Sequence, residues 1–242
     1  MRAERRFLTA EWRDLLMLNY EVDSALLQPR VPVGCELDSW NGRTHLSVVG
    51  FMFLRTRLLG VPVPFHRNFE EVNLRFYVGR EVDGEWRRGV VFIKEIVPRR
   101  ALAWVARRAY GENYIALPMR HTGRVHDPGG EARVGYEWRR DGRWEGLSAR
   151  IAGEPALAPV DSEETFISEH YWGYTAQADG RTIEYQVEHP RWQVWRATDE
   201  QLDCDAATLY APELAGALTG EPTSAFVADG SAVVVRRGRR LE

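Results

Sequence analysis

From Phe65 to Val78 the chain alternates with a period of two: Val72, Leu74, Phe76 and Val78 fall on one side, and Glu71, Asn73, Arg75 and Tyr77 on the other. This predicts a strand with a carboxylate, an amide, a guanidinium and a phenol in one row. Such a row either lines a pocket or forms the wet face of an amphipathic antiparallel strand. Glu70 belongs to the opposite face, so it cannot act on one ligand together with Glu71. An Asp83-Gly84 turn then leads into a second strand over residues 88–97. Strict alternation there puts Val90, Phe92, Lys94 and Ile96 on one face and Val91, Ile93, Glu95 and Val97 on the other. Both faces are apolar, which predicts a central strand with Lys94 and Glu95 as its two anomalies.

The same pattern continues along the chain. Residues 9–18 predict a helical turn opening at Thr9 and leading into a strand that ends near Val22, followed by a short helix capped at Asp23-Ser24 and running to Gln28. A strand over 44–53 follows the Asn41-Gly42 turn signal, and residues 99–110 have the apolar stripe of a helix (Leu102, Val105, Ala106, Ala109) stopped by Gly111. Turns at 127–130 and at Asp141-Gly142 predict hairpins with strands over 133–140 and 143–151, and residues 154–159 read as a connector. A helix capped at Asp161 should run to about Tyr171. An Asp179-Gly180 turn, strands reaching Trp195, a short helix over 212–218 and a last strand over 231–236 complete the chain. Many strands in meander order, with no βαβ alternation, predict a mainly β (α+β) fold: one closed or nearly closed antiparallel β-barrel with a few short peripheral helices, a single domain over 1–242.

Composition narrows the function classes. With 44% hydrophobic and 28% charged residues, the 242-residue chain needs neither disulfide nor metal to build a core. A net charge of −3 carries no global footprint for nucleic acid or an anionic membrane. Cys35 and Cys204 stand alone without CxxC spacing, the expectation for reduced thiols in a cytoplasmic protein. No apolar run suits a signal peptide or a membrane helix. The six histidines form no HxH, HxxxH or HExxH, and no P-loop, GxSxG or dinucleotide fingerprint occurs, so neither a metal nor a cofactor is expected. Lys94 is the one lysine among 32 basic residues.

The order of motifs resembles the YqjF-like bacterial family, a domain of unknown function within the acetoacetate decarboxylase-like superfamily. The matching pieces are residues 12–22, the Leu-x-Pro-x-x-Pro-x-Gly run from Leu27 to Gly34, residues 69–78, the stretch Ala106-Arg107-Arg108-Ala109-Tyr110-Gly111, and Val187-Glu188-His189-Pro190-Arg191-Trp192. The resemblance implies a single β-barrel around a small, partly apolar pocket. Acetoacetate decarboxylases form a Schiff base through a pocket lysine in a Gly-Arg-Glu-x-x-Gly-Phe-Pro-Lys-Lys segment, helped by glutamates and an arginine. On that register Tyr114 stands where the nucleophilic lysine would be, and a phenol forms no imine.

The ligand-binding candidates are therefore Glu71, Asn73, Arg75 and Tyr114. Arg75 suits a carboxylate because its planar fork donates two parallel hydrogen bonds, although Glu71 could instead hold it in an ion pair. The catalytic candidates are Glu71, Lys94 and His189; His189 is held extended before Pro190 and titrates near neutrality, but it equally suits a structural role. Three readings stay open: a barrel binding a small organic acid or carbonyl compound, a lyase forming an imine at Lys94, and a non-catalytic interaction protein whose polar row faces water. The expected partner is a small molecule, not nucleic acid or a membrane, with homo-oligomer formation left open. The three readings separate on whether the odd-numbered side chains of 71–77 point into an enclosed cavity.

Overall fold

The computed structural model describes residues 6–64, 66–101, 103, 104, 108, 111–126 and 132–241. Phe65, most of the expected 99–110 helix and the 127–130 turn lie outside them. The strands are β1 (Arg6–Val22), β2 (Glu36–Leu37), β3 (Thr44–Leu58), β4 (Val61–Pro62), β5 (Phe69–Val82), β6 (Glu85–Val97), β7 (Tyr114–Ala116), β8 (Met119–Thr122), β9 (Arg133–Arg140), β10 (Arg143–Leu157), β11 (Trp172–Ala176), β12 (Thr182–Glu188), β13 (Gln193–Asp203), β14 (Ser224–Arg236) and β15 (Arg239–Arg240). Among the described residues the bounded helices are α1 (Ser24–Leu27), α2 (Glu163–Ser168), α3 (Ala206–Leu209) and α4 (Pro212–Leu218), with a 3-10 turn over Gln28–Arg30.

Hydrogen bonding runs β12-β11-β6-β5-β3-β1-β14, and pairing of Val187 with Val235 and Glu188 with Val234 joins β14 back to β12. Seven strands thus close an uneven ring, antiparallel except where β11 and the short β7 run parallel to β6. The remaining path, β14-β13-β10-β9-β8, forms a second layer outside the ring. Its Val134, Tyr136, Trp138 and Leu147 pack with Val72, Leu74, Phe76 and Val78, so β5 is buried on both faces. At each such position full burial of a large apolar side chain contributes about 1.5–3 kcal/mol. The layers approach closely: a Cβ on Gly50 would stand 2.5 Å from the Tyr136 ring, so only glycine fits there.

Local chemistry explains several of these elements. Asp83-Gly84 and Asp141-Gly142 both adopt positive φ (53° and 79°, 48° and 84°), the backbone that a two-residue hairpin of matching twist requires. The α1 helix begins at Asp23, whose carboxylate accepts from the Ala25 amide. No helical turn forms over 9–18; β1 is extended from Arg6 because β3 and β14 pair along both of its edges, and tertiary pairing outweighs local preference. The helix expected to be capped at Asp161 instead takes Ser162 as its cap and ends at Ser168, and β10 absorbs the connector as far as Leu157. No described helix is long and apolar enough to cross a membrane.

Candidate functional site

The ring lines a partly open cavity of about 180 Å³ to which all seven of its strands contribute. Most of the wall is aromatic or aliphatic, including Trp12, Phe51, Phe53, Phe69, Phe92 and Trp192. Into this apolar space β5 projects Glu71, Asn73 and Arg75. Glu71 and Asn73 are only 3% and 2% exposed, so the row is no solvent-facing surface. Tyr77, the fourth member, does not line the cavity; its hydroxyl lies 2.6 Å from Ser47 Oγ, and its ring packs against Phe166 of α2 and against His170.

A bulge in β6 decides what faces that row. Leu74 pairs with Lys94, but Arg75 pairs with Phe92, leaving Ile93 as the extra residue. The phase shifts by one residue, so Val90 and Phe92 share the cavity wall with Glu95 and Val97. Strict alternation had put Glu95 with Val91 and Lys94 with Phe92; the bulge breaks both assignments. Lys94 sits opposite Leu74, a residue of the outer core, and does not line the cavity.

Three carboxyl groups meet in the cavity: Glu71, Glu95 and Glu112, the last from the segment leading into β7. Glu71 accepts from Asn73 Nδ2 at 3.4 Å and from the Tyr114 hydroxyl at 3.3 Å. Glu112 accepts from the Tyr185 hydroxyl at 2.5 Å. Among the described ion pairs none involves any of the three. Burial is the main force on each, and it disfavours the charged form. It pushes Glu71 up to about 8, with Glu112 adding repulsion and the bonds from Asn73 and Tyr114 opposing it. Glu112 rises to about 7, because bonds from Tyr185 and Thr175 offset part of the burial. Glu95 is held well above the usual carboxylate range by burial and by the other two acids. Burial and the same three acids push the Tyr114 phenol far up, so it stays a hydrogen-bond donor. Glu95 Oε2 and Asn73 Oδ1 are buried and have no hydrogen-bond partner among the described residues.

Away from the acids the polarity reverses. Arg75 donates to the Ile167 carbonyl of α2 at 3.1 Å and lies 5.6 Å from the Tyr77 ring, while its Nε–H is buried without a partner. It forms no ion pair with Glu71, the alternative open from the sequence. Two histidines line the cavity in the reach of its charge. His170 is neutral, held down to about 4 chiefly by burial, with Asp38 Oδ2 at 3.6 Å as its opposing influence. His189 is also lowered by burial; its Nδ1 lies 3.0 Å from the Pro190 carbonyl and its ring stacks on Trp192 at 4.2 Å. Among the described residues no three His, Cys, Asp or Glu side chains are arranged to hold a metal ion.

Comparison with known proteins gives this geometry its setting. The family model DUF2071, an uncharacterized conserved protein, matches residues 9–232. The chain belongs to this family. Its relative YqjF of Bacillus subtilis, an uncharacterized protein, is 28% identical over 192 residues, covering 78% of this chain and 75% of that one. Among solved structures, acetoacetate decarboxylase from Legionella pneumophila matches 98% of this chain and 87% of its own at 13% identity, with a TM-score of 0.68. MppR, an enduracididine biosynthesis enzyme in complex with pyruvate, matches 100% of this chain and 92% of its own at 13% identity and a TM-score of 0.67. An acetoacetate decarboxylase-like enzyme from Sphingomonas wittichii matches 97% and 93% at 14% identity and a TM-score of 0.65. At such identities the likeness establishes the acetoacetate decarboxylase-like fold of this DUF2071 member, and its chemistry has to be read from its own residues.

The structure brings Glu71, Asn73, Arg75, Tyr114 and His189 to one cavity and leaves Lys94 out. Sequence reasoning did not place Glu95, Glu112, His170 or Tyr185 there. Glu95 carried a signal, a charge on a strand apolar on both faces. Glu112 carried none, since it reaches the cavity through the turn at Gly111 (φ 74°) and the pairing of β7 with β6.

Proposed function

We infer that the cavity binds a small oxo acid, with the ligand's carboxylate against Arg75 and its carbonyl oxygen toward Glu95 and Tyr114. The supporting observation is the bipolar lining of one cavity. Arg75 offers an unpartnered N–H on one stretch of wall, and neutral acids with an unpartnered oxygen lie on the next. Asn73, the inward position adjacent to Arg75 on β5, pairs with Glu95. At about 3.4 Å per residue, Arg75 and Glu95 are separated by roughly 7 Å along the sheet, a span suited to a molecule of a few carbons. The apolar wall fits the ligand's hydrocarbon part, and the protonated carboxyls donate to a carbonyl oxygen where carboxylates would repel it.

Titration with pyruvate, α-ketobutyrate and levulinate, followed by ligand-observed NMR and calorimetry, tests this reading. Saturable binding is expected, weakened about 10-fold or more in Arg75→Leu because a charge-assisted hydrogen bond is lost. Equal affinity in that variant, or no saturable binding of any of the three, would overturn it.

A further inference from the structure

We propose that this cavity is a proton-transfer site for carbonyl compounds, in which Glu112 removes a proton from the carbon beside the ligand's carbonyl and Glu95 protonates the carbonyl oxygen, with no covalent adduct. The proposal rests on the binding reading above and adds an activity to it. Three observations carry it. Glu71, Glu95 and Glu112 converge in one cavity from three elements, so a ligand there meets more than one carboxyl at once. Their partners differ: Glu112 accepts a short bond from Tyr185, whereas Glu95 Oε2 is buried against the cavity with no hydrogen-bond partner among the described residues. The cavity, finally, is lined by no lysine, since Lys94 faces the outer core.

These surroundings separate the roles. Bonds from Tyr185 and Thr175 favour the carboxylate form of Glu112, which titrates at about 7, where a general base works best. Glu95 and Glu71 stay protonated at that pH, and neutral acids beside an ionised one can serve as acid and base in one step. In the forward step the C–H bond breaks and its proton goes to the Glu112 carboxylate. The electron pair forms the carbon–carbon double bond, and the carbonyl π electrons take the proton of Glu95. The product is the enol, an isomer of the bound ketone, so no oxidant, reductant or co-substrate is required. Glu71, which accepts from the Tyr114 hydroxyl at 3.3 Å, stands beside Glu95 as a further neutral donor that steadies the developing oxygen charge. Reversal of the step returns a proton to carbon, and in D₂O that proton is a deuteron.

The experiment follows loss of the C–H signal next to the carbonyl by ¹H NMR, with the protein and pyruvate, α-ketobutyrate or levulinate in D₂O. Exchange about 100-fold or more faster than in buffer is expected. Its rate should rise as pH passes through about 7, tracking Glu112, and fall again at higher pH as Glu95, held well above the usual carboxylate range, loses its proton. Glu112→Gln should return exchange to the buffer rate while binding changes by less than about 3-fold, and Glu112→Asp, which keeps the carboxyl, should retain part of it. Lys94→Met should exchange like the parent, and borohydride should trap no adduct. A probe that binds but exchanges at the buffer rate overturns this proposal and leaves the binding reading standing. Failure of every probe to bind overturns both. Undiminished exchange in Glu112→Gln, or an adduct on a lysine, also overturns the proposal.

Discussion

Two buried carboxyl sites in this protein have met the cost of burial in opposite ways. Glu184 of β12 is 0% exposed and lies within 3.5 Å of the Arg80, Arg87 and Arg239 guanidiniums, bonded to Arg239 Nε at 2.8 Å. Register explains the gathering, since Arg80 pairs with Arg87 and Glu184 with Arg239. Glu71, Glu95 and Glu112 are as deeply buried but have only hydroxyl and amide partners among the described contacts. One site balances charge with charge; the other gives up charge by holding its protons. A balanced ion pair leaves little for a ligand to do. A cluster of acids that hold protons near neutrality, one of them with an oxygen unpartnered among the described residues, keeps hydrogen-bonding capacity available.

The largest expected effect sets the two sites directly against each other. Glu184→Gln strands the buried Arg87 charge and should cost about 3–5 kcal/mol in urea denaturation. Glu95→Gln replaces a neutral acid by a neutral amide of the same shape and should cost less than about 1 kcal/mol. Equal losses would erase the contrast.

A smaller effect reads the protons themselves. For Glu71 and Glu112 the folded state holds its proton to about 8 and about 7, whereas the unfolded chain releases it near 4.3. Between those values the native state binds more protons than the unfolded state, so stability falls as pH rises. The contribution is complete below about pH 4.3 and is lost progressively up to about pH 8. Below about pH 6.5 the lowered His45, His170 and His189 act in the opposite sense; urea midpoints should therefore decline from about pH 6.5 to pH 8, and Glu71→Gln should flatten the decline. A midpoint that rises over that interval would mean that the cluster is ionised. Asp38 acts in the other direction: the Arg88 bond at 2.8 Å and the nearby His170 ring outweigh its burial and lower it, so its contribution is lost only in acid. The smallest effect is that of Lys94→Met, which should stay within about 0.5 kcal/mol of the parent.

Much of the fold was legible because hairpin chemistry is local. The Asp-Gly pairs at 83–84 and 141–142 announce their turns, and the alternation from Val72 to Val78 announces β5. The candidate site was legible in half. Glu71, Asn73 and Arg75 share a face by simple alternation, whereas Glu95 joins them only through the bulge at Ile93. No period-two pattern shows a bulge, because the extra residue is defined by the partner strand. Helical spacing over 9–18 misled for a related reason, since the pairing that keeps β1 extended comes from β3 and β14, both distant in the chain.

The sequence by itself determined a mainly β chain, the strand carrying the polar row, and the absence of a lysine at the position where the resembling decarboxylases have theirs. Only the tertiary structure decided that the row faces a cavity, that Lys94 turns away from it, and that three acids meet there with no ion pair among the described residues. Alternation and turn preference act over a few residues, and a sequence displays them. Strand register, ring closure and the burial that keeps a carboxyl protonated depend on residues far apart in the chain, and they exist only once the ring has closed.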